Sequence, residues 1–480
     1  MGGFAEYGNY DALGLAALVK RREVTPAELL DAALSRAAVR DPLINAITIP
    51  MEEFARKAIS EGVPGGPFEG VPFLLKDLTA SVTGVRMTRT SRFFADTPPA
   101  TADSEHVKRL KRAGLVFFGR TNTCEMGLGL TCEPQLTGPT KNPWDLTRIS
   151  GGSSGGAAAA TAARIVPMAH GTDGFGSIRA PAACCGLVGL KPTRGRNTLA
   201  PFAGEALAGL AAEHGVTLTV RDCAALLDAT SGPGDGDPYA AAPPAGPFLQ
   251  EVGADPGRLR IAFTRKAPNG AAVGEESLRE LDAIAKLCAE LGHHVEEADP
   301  AVDGDAMVPT FLTLIAAATV VNLGGHPNKN APEPGEIENV TRALYERGLL
   351  VSGPDYLKAV NTSHRLGRQS AAFFANHDVL LTPGLGGPAA RLGWIDMMLE
   401  DADEYWRRVF EFSPFTVWFN LTGQPALMLP LGMSGEGLPL GTQFVARFGD
   451  EATLFRLAAQ LEAARPWFGR KPALVTSTPI

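Results

Sequence analysis

Six cysteines and eight histidines are scattered over 480 residues without a repeated short spacing. Cys124, Cys132, Cys184, Cys185, Cys223 and Cys288 form no paired ligand pattern, and His293-His294 follows a helix stop, so a metal centre is not expected. Adjacent Cys184-Cys185 reads as small core filling instead of a disulfide. No basic stripe is present, and a formal net charge of −8 argues against nucleic acid and anionic membranes as partners. The N-terminus has no charged segment leading into an apolar run, and no stretch of about 18 apolar residues stands out, so the expectation is a cytoplasmic protein without a membrane span. Internal repeats are absent as well. What remains is 45% hydrophobic and 20% charged, an ordinary globular composition able to bury a large core.

Glycine, by contrast, is concentrated. Residues 151–196 carry two glycine-flanked serine sites, GGSSGG at 151–156 and GTDGFGS at 171–177, around a short alanine-rich segment. Glycine loses the most backbone freedom on folding, so this density marks a place where something approaches the backbone closely. Residues 157–164 are strong helix formers without an amphipathic stripe, which predicts a helix buried on most sides. Residues 165–169 then read as a short buried strand. The first serine pair thus opens a helix, and the second site lies past a strand end, where open α/β sheets place their ligands. Successive N–H groups from Gly174 to Ser177 could cradle an anion.

A serine hydroxyl is a poor nucleophile until a base takes its proton. The candidate bases are His170, Asp173 and a lysine. Asp173 precedes a tight glycine turn and reads as a residue that fixes the loop by local hydrogen bonds. His170 ends an apolar strand and reads as structural. Lys76 closes the apolar run 68–76, where burial would lower its pKa and leave a neutral amine able to accept a proton. Alone, such a lysine is more often a snorkelling surface residue; the serine sites change that reading.

On GVPFLLKD, GGSSGG and GTDGFGSIRAPAACCGLVGLKPT, in this order and with the serines 24 residues apart, the chain resembles the amidase signature family. That resemblance implies a layered α/β/α fold with a large mixed, twisted central sheet. It makes Ser177 the acylating nucleophile, Ser153 a bridging serine that follows a cis peptide bond, and Lys76 the terminal base. Ser154 becomes the helper that orients the lysine, with Asp173 and Arg179 in support, and the N–H groups of Gly174, Phe175, Gly176 and Ser177 form the oxyanion hole. No cofactor is implied. Where the family usually has glycine this chain has Phe175, and a phenylalanine at positive φ would be strained. Either the loop turns differently or the ring packs nearby, against the acyl pocket.

Taken in order, Thr25-Pro26-Ala27-Glu28 is a capping box opening an N-terminal helix that is expected at the sheet edge. A helix over 104–113 stops at Gly114 and feeds a strand at 115–118. Met126 and Gly127, in TNTCEMG, are expected to line the substrate pocket with Phe175. Residues 202–215 read as a mobile loop over the site, and 231–257 as a proline- and glycine-rich connector. Beyond it come a strand at 258–263, helices at 275–291, 311–321 and 355–375, a strand at 377–383, and a sheet-closing block after 419. The expectation is one domain over 1–480: N-terminal helices to 70, a signature core over 71–200, a variable pocket region over 201–400 and a closing segment over 401–480.

Within the family the runs TNTCEMG, KNPWDLTRISGGSSGG and GLVGLKPTRGR are most similar to the branch that opens nylon-type oligomers and to its urethane-cleaving relatives. The implied partner is therefore a small amide or carbamate, and the expected self-association is a homodimer. Few charges near the site point to a neutral, apolar substrate. Three rivals stand beside this reading. Gly152-Ser153-Ser154-Gly155-Gly156 fits an α/β-hydrolase elbow with Ser154 as nucleophile, but such an elbow follows a strand and 142–150 reads as loop. A transamidating subunit would need other chains beside it and glutamine recognition. A non-catalytic binding protein would not need Lys76, Ser153 and Ser177 intact.

Overall fold

The run Pro-Phe-Leu-Leu-Lys offers water nothing before its last residue. In the computed structural model, which describes residues 4–478, it is a strand buried on both faces. Such a strand needs layers above and below it. Ten others complete its sheet. In chain order they are β1 (Ile47–Pro50), β2 (Pro72–Lys76), β3 (Val116–Thr121), β4 (Met168–Asp173), β5 (Val188–Lys191), β6 (Ala212–Thr217), β7 (Arg260–Phe263), β8 (His294–Glu297), β9 (Val379–Pro383), β10 (Ala426–Met433) and β11 (Pro439–Ala446). In space the order is β1-β3-β2-β4-β6-β5-β10-β11-β9-β7-β8. β2 runs parallel to β3 and β4, whereas β6, β5, β10 and β11 pair antiparallel, so the sheet is mixed.

Helices surround the sheet, giving the expected α/β fold. Those that matter below are α1 (Pro26–Ile44), α2 (Glu105–Arg112), α3 (Gly155–Ala162), α4 (Arg179–Cys185), α5 (Met307–Gly324), α6 (Gly353–Phe373), α7 (Ala402–Phe412), α8 (Thr416–Thr422) and α9 (Glu451–Ala464). The strands alternate between two apolar layers: Ala426 and Met428 of β10 join one, Leu427 and Leu429 the other. The capping box at Thr25 forms as read, its hydroxyl accepting from the Glu28 N–H while Glu28 reaches back. α3 is buried at every position, as its alanines predict.

Several expectations are corrected. β4 begins at Met168, not at 165, because Pro167 has no N–H to give a ladder. Residues 212–215 belong to β6, a strand near the middle of the sheet, and not to a mobile loop. Its Glu213, His214 and Thr217 are buried polar residues, so it lacks the apolar signature of an inner strand. Residues 142–150 are not a loop either: Lys141–Asn142 and Asp145–Ile149 form a separate two-stranded ladder. The sheet edges are β1 and β8, and α1 packs on β2 and α3 instead. β8 and the helices Asn339–Leu349 and α7 have no counterpart in the sequence reading. An apolar run does exist: Gly304–Gly324 has a mean hydropathy of 1.8 and is long enough to cross a membrane. Half of it is buried inside the fold, and it packs against Asn339–Leu349 and α6. Residues 1–3 and 479–480 of the expected domain span lie outside the described residues.

Candidate active site

Lys76 ends β2, and the two serine loops meet it from α3 and β4. Its side chain is wholly buried, with Nζ 2.6 Å from Ser153 Oγ and 2.8 Å from Thr172 Oγ1. Burial pulls the amine down to about 8, against the opposing pull of Cys124, Cys132, Asp173 and Glu213. A strand that exposes nothing has therefore delivered a lysine able to be neutral near physiological pH. Lys191, equally buried on β5, donates to the Pro192 carbonyl and, among the described residues, makes no hydrogen bond to either serine loop.

The peptide bond between Gly152 and Ser153 is cis. Gly127 lies close by, since a Cβ there would sit 3.4 Å from Ser153 Oγ. The Ser154 N–H donates to the Ser177 carbonyl at 3.1 Å, which ties the two serine loops together. Ser177 Oγ itself is buried without a hydrogen-bond partner. Lys76 and Ser153 are thus in direct contact, whereas the hydrogen bond from Ser153 to Ser177 is not made.

The turn after β4 is held by Asp173. Its carboxylate accepts from the N–H groups of Gly176 at 2.7 Å and Ile178 at 3.2 Å, and from Arg179 Nε and Nη2 at 2.9 Å each. Burial opposes this charge, but Arg179 outweighs it and holds the carboxyl well below the usual range. Arg179 continues to Gln443 of β11 at 2.8 Å, and Asn420 of α8 donates to the Asp173 carbonyl at 2.9 Å. The turn therefore has one arrangement, fixed from three places in the chain.

This arrangement revises the anion cradle. The Gly176 N–H is spent on Asp173, while among the described residues those of Gly174, Phe175 and Ser177 have no partner. The positive φ that threatened Phe175 falls on Gly176, at 133°, where a Cβ would come within 2.5 Å of Thr416 Oγ1. Phe175 is unstrained. Its carbonyl accepts from Thr416 Oγ1 at 2.7 Å, and its ring packs on Phe311 at 5.0 Å and Trp406 at 6.0 Å. The aromatic packing read from the sequence is present.

Two other readings change. Ser154 Oγ does not touch Lys76; it bonds the backbone of Thr172, and the Thr172 hydroxyl is the one that meets the amine. Ser154 does follow a strand, but one outside the main sheet, and no base stands at its hydroxyl. Nor are charges few here: Asp77, Arg120, Asp173, Arg179 and Glu213 are all buried around the site. Met126 is buried at φ 52°, and Leu207 from segment 201–211 lies against Gly174. Thr172, Thr416, Asn420 and Gln443 escape a reading of the sequence alone. Thr172 stands within GTDGFGS with no role assigned to it; Asn420 and Gln443 lie in the sheet-closing block and Thr416 just before it, more than 230 residues downstream, with nothing local to tie them to the turn.

The amidase family profile matches residues 28–455. The chain belongs to the amidase signature family. This amidase is 37% identical to the 6-aminohexanoate-cyclic-dimer hydrolase of a Pseudomonas species, over 97% of each chain. Its fold superposes on a solved 6-aminohexanoate cyclic dimer hydrolase complexed with substrate with a TM-score of 0.93, at 36% identity, covering 97% of this chain and 99% of that one. It also matches a glutamyl-tRNA(Gln) amidotransferase chain from Thermotoga maritima, with a TM-score of 0.78 at 27% identity over 97% of each. As an amidase-family hydrolase, the chain acts on amide C–N bonds.

Proposed function

We propose that this amidase cleaves amides and carbamates through an acyl-enzyme on Ser177, with Ser153 and Lys76 as the proton path. The observation that carries the reading is the contact of 2.6 Å between the buried Lys76 amine and Ser153 Oγ, beside a Ser177 hydroxyl with nothing else bound to it. Rotation of the Ser177 hydroxyl toward Ser153 completes the path, and such contacts commonly tighten only with substrate in place.

In the forward direction neutral Lys76 takes the Ser153 proton, Ser153 takes that of Ser177, and Ser177 Oγ bonds to the carbonyl carbon. The oxyanion is received by the free N–H groups of Gly174, Phe175 and Ser177, each worth about 2.7–4 kcal/mol of barrier by analogy with measured cradles. Returned along the same path, the proton reaches the nitrogen, the C–N bond breaks and an amine departs. Water then attacks the ester, gives its proton to the path and frees Ser177. From a carbamate the same C–N cleavage leaves a carbonate ester on Ser177, and water releases a carbonic half-ester that loses carbon dioxide to give the alcohol.

Similarity to the cyclic-dimer hydrolases supports a neutral amide as the acyl source. The test is a panel of anilides, cyclic and linear amides and dicarbamates, read by mass spectrometry, with phenylmethylsulfonyl fluoride as trap. Turnover of at least one amide and one carbamate, with the adduct on Ser177, is expected. Modification at Ser154, or amide turnover by a Ser177→Ala protein, would overturn the assignment.

A further inference from the structure

Three buried titratable side chains stand beside Lys76 and take no part in the proton path: His106 on α2, His170 on β4 and Glu213 on β6. Their nitrogen and oxygen atoms lie within 4.8 Å of one another, with His106 Nδ1 3.6 Å from Glu213 Oε2. Glu213 faces Thr172 across the β4–β6 ladder, and Thr172 is the residue whose hydroxyl holds the lysine amine. Among the described residues, neither nitrogen of His106 nor Nε2 of His170 has a hydrogen-bond partner. Buried polar groups left in this state are costly, so the trio calls for a use.

Two imidazoles and a carboxylate are also metal-ligand types, but the tautomer is wrong. The Lys76 N–H donates to His170 Nδ1 at 3.3 Å, so in the neutral ring the proton sits on Nε2, where a metal would need a lone pair. The cluster is therefore suited to protons. Both rings stay neutral in the working range: burial takes His106 down to about 3 and His170 well below its ordinary value. Glu213 differs, since burial pushes it up to about 7.

We propose that Glu213, which faces Thr172 across the β4–β6 ladder, is the positioning residue that tunes how readily the buried Lys76 amine gives up its proton. While its carboxyl holds a proton, the amine can be neutral; once the carboxyl ionises, the amine is drawn to keep its own. This rests on the reading of Lys76 as base. The other groups facing the pair are already settled. Cys124 and Cys132 are kept as thiols by burial, and Asp173 is matched by Arg179. Arg120, which donates to the Lys76 carbonyl, has Asp77 3.9 Å away. Arg109 on α2 is spent on Glu105 and backbone carbonyls, Thr79 offers Glu213 only a hydroxyl, and His214 turns to Cys223. Glu213 is the carboxyl near Lys76 with no fixed counter-charge.

The experiment is the pH profile of kcat/KM from pH 5 to 10 for wild type, Glu213→Gln, Glu213→Asp and Lys76→Met. The rate at which phenylmethylsulfonyl fluoride labels Ser177 is followed in parallel and needs no substrate. In Glu213→Gln the alkaline rise is expected about one pH unit nearer acid, the size of a single nearby charge, with KM unchanged. Glu213→Asp keeps the wild-type midpoint. If Glu213→Gln melts too early to assay, Glu213→Ala must show the same acid shift. A Lys76-dependent wild-type rise that the uncharged variants leave in place would overturn this inference alone. A flat wild-type profile with Lys76→Met labelled as fast as wild type would overturn the lysine reading and this inference together.

Discussion

At the scale of single residues, the decisive quantity is the proton on Lys76. Its amine is charged well below pH 8 and neutral well above it, because burial disfavours the charged form. Activity through a neutral lysine therefore rises with pH, about tenfold per unit below the midpoint, and levels off above it. A stopped assay from pH 6 to 9.5 checks this. Ser177→Ala is expected to lower kcat by about 10⁴-fold while the melting temperature holds. Thr172→Val keeps the shape of the side chain and deletes one of two contacts to Nζ, so kcat/KM should fall about tenfold with KM little changed. Lys76, Ser153 and Ser177 are legible from motif and spacing. Thr172 stands in the same motif without drawing notice, since a threonine between a glycine and an aspartate looks like turn chemistry until the strand aims it at an amine.

Among elements, the turn after β4 and the helix α3 show how closely backbone is used. Gly156, in the first turn of α3, leaves no room for a side chain: a Cβ there would sit 2.6 Å from the Asn122 N and 2.7 Å from the Ala46 O. Gly156→Ala is expected to destabilise the protein by about 1–3 kcal/mol, the usual penalty of overpacking, measurable by urea titration. Thr416→Val removes the hydroxyl that holds the Phe175 carbonyl and should lower kcat more than it raises KM. Helices with caps or with alanine-rich composition can be read from sequence, because their signals are local. β6 cannot: Glu213, His214 and Thr217 are polar yet buried, and what satisfies or surrounds them comes from β4, α2 and the Val220–Thr230 helix.

For the molecule as a whole, late sequence completes early sequence. β5 pairs with β10, and past its end Arg196 meets Glu451 at 2.9 Å, both buried. Burial alone would raise Glu451, but Arg196 and its other partners hold it below the ordinary 4.5. Asp173 is depressed in the same way. A carboxyl with a lowered folded pKa adds stability that is complete above its unfolded value and lost as pH falls through the folded one. The melting temperature should thus decline steadily between pH 5 and pH 3. Glu451→Gln leaves the Arg196 guanidinium buried without its counter-charge and should cost about 3–5 kcal/mol at neutral pH. These partnerships span some 250 residues and leave no mark in either segment alone.

That Asn420 and Gln443 brace the turn around Asp173 means the surroundings of the proposed nucleophile close only once sequence some 250 residues downstream has been made. A polypeptide ending before residue 416 carries every residue of the proposed proton path but none of these braces, and is expected to turn over no amide that the full chain cleaves.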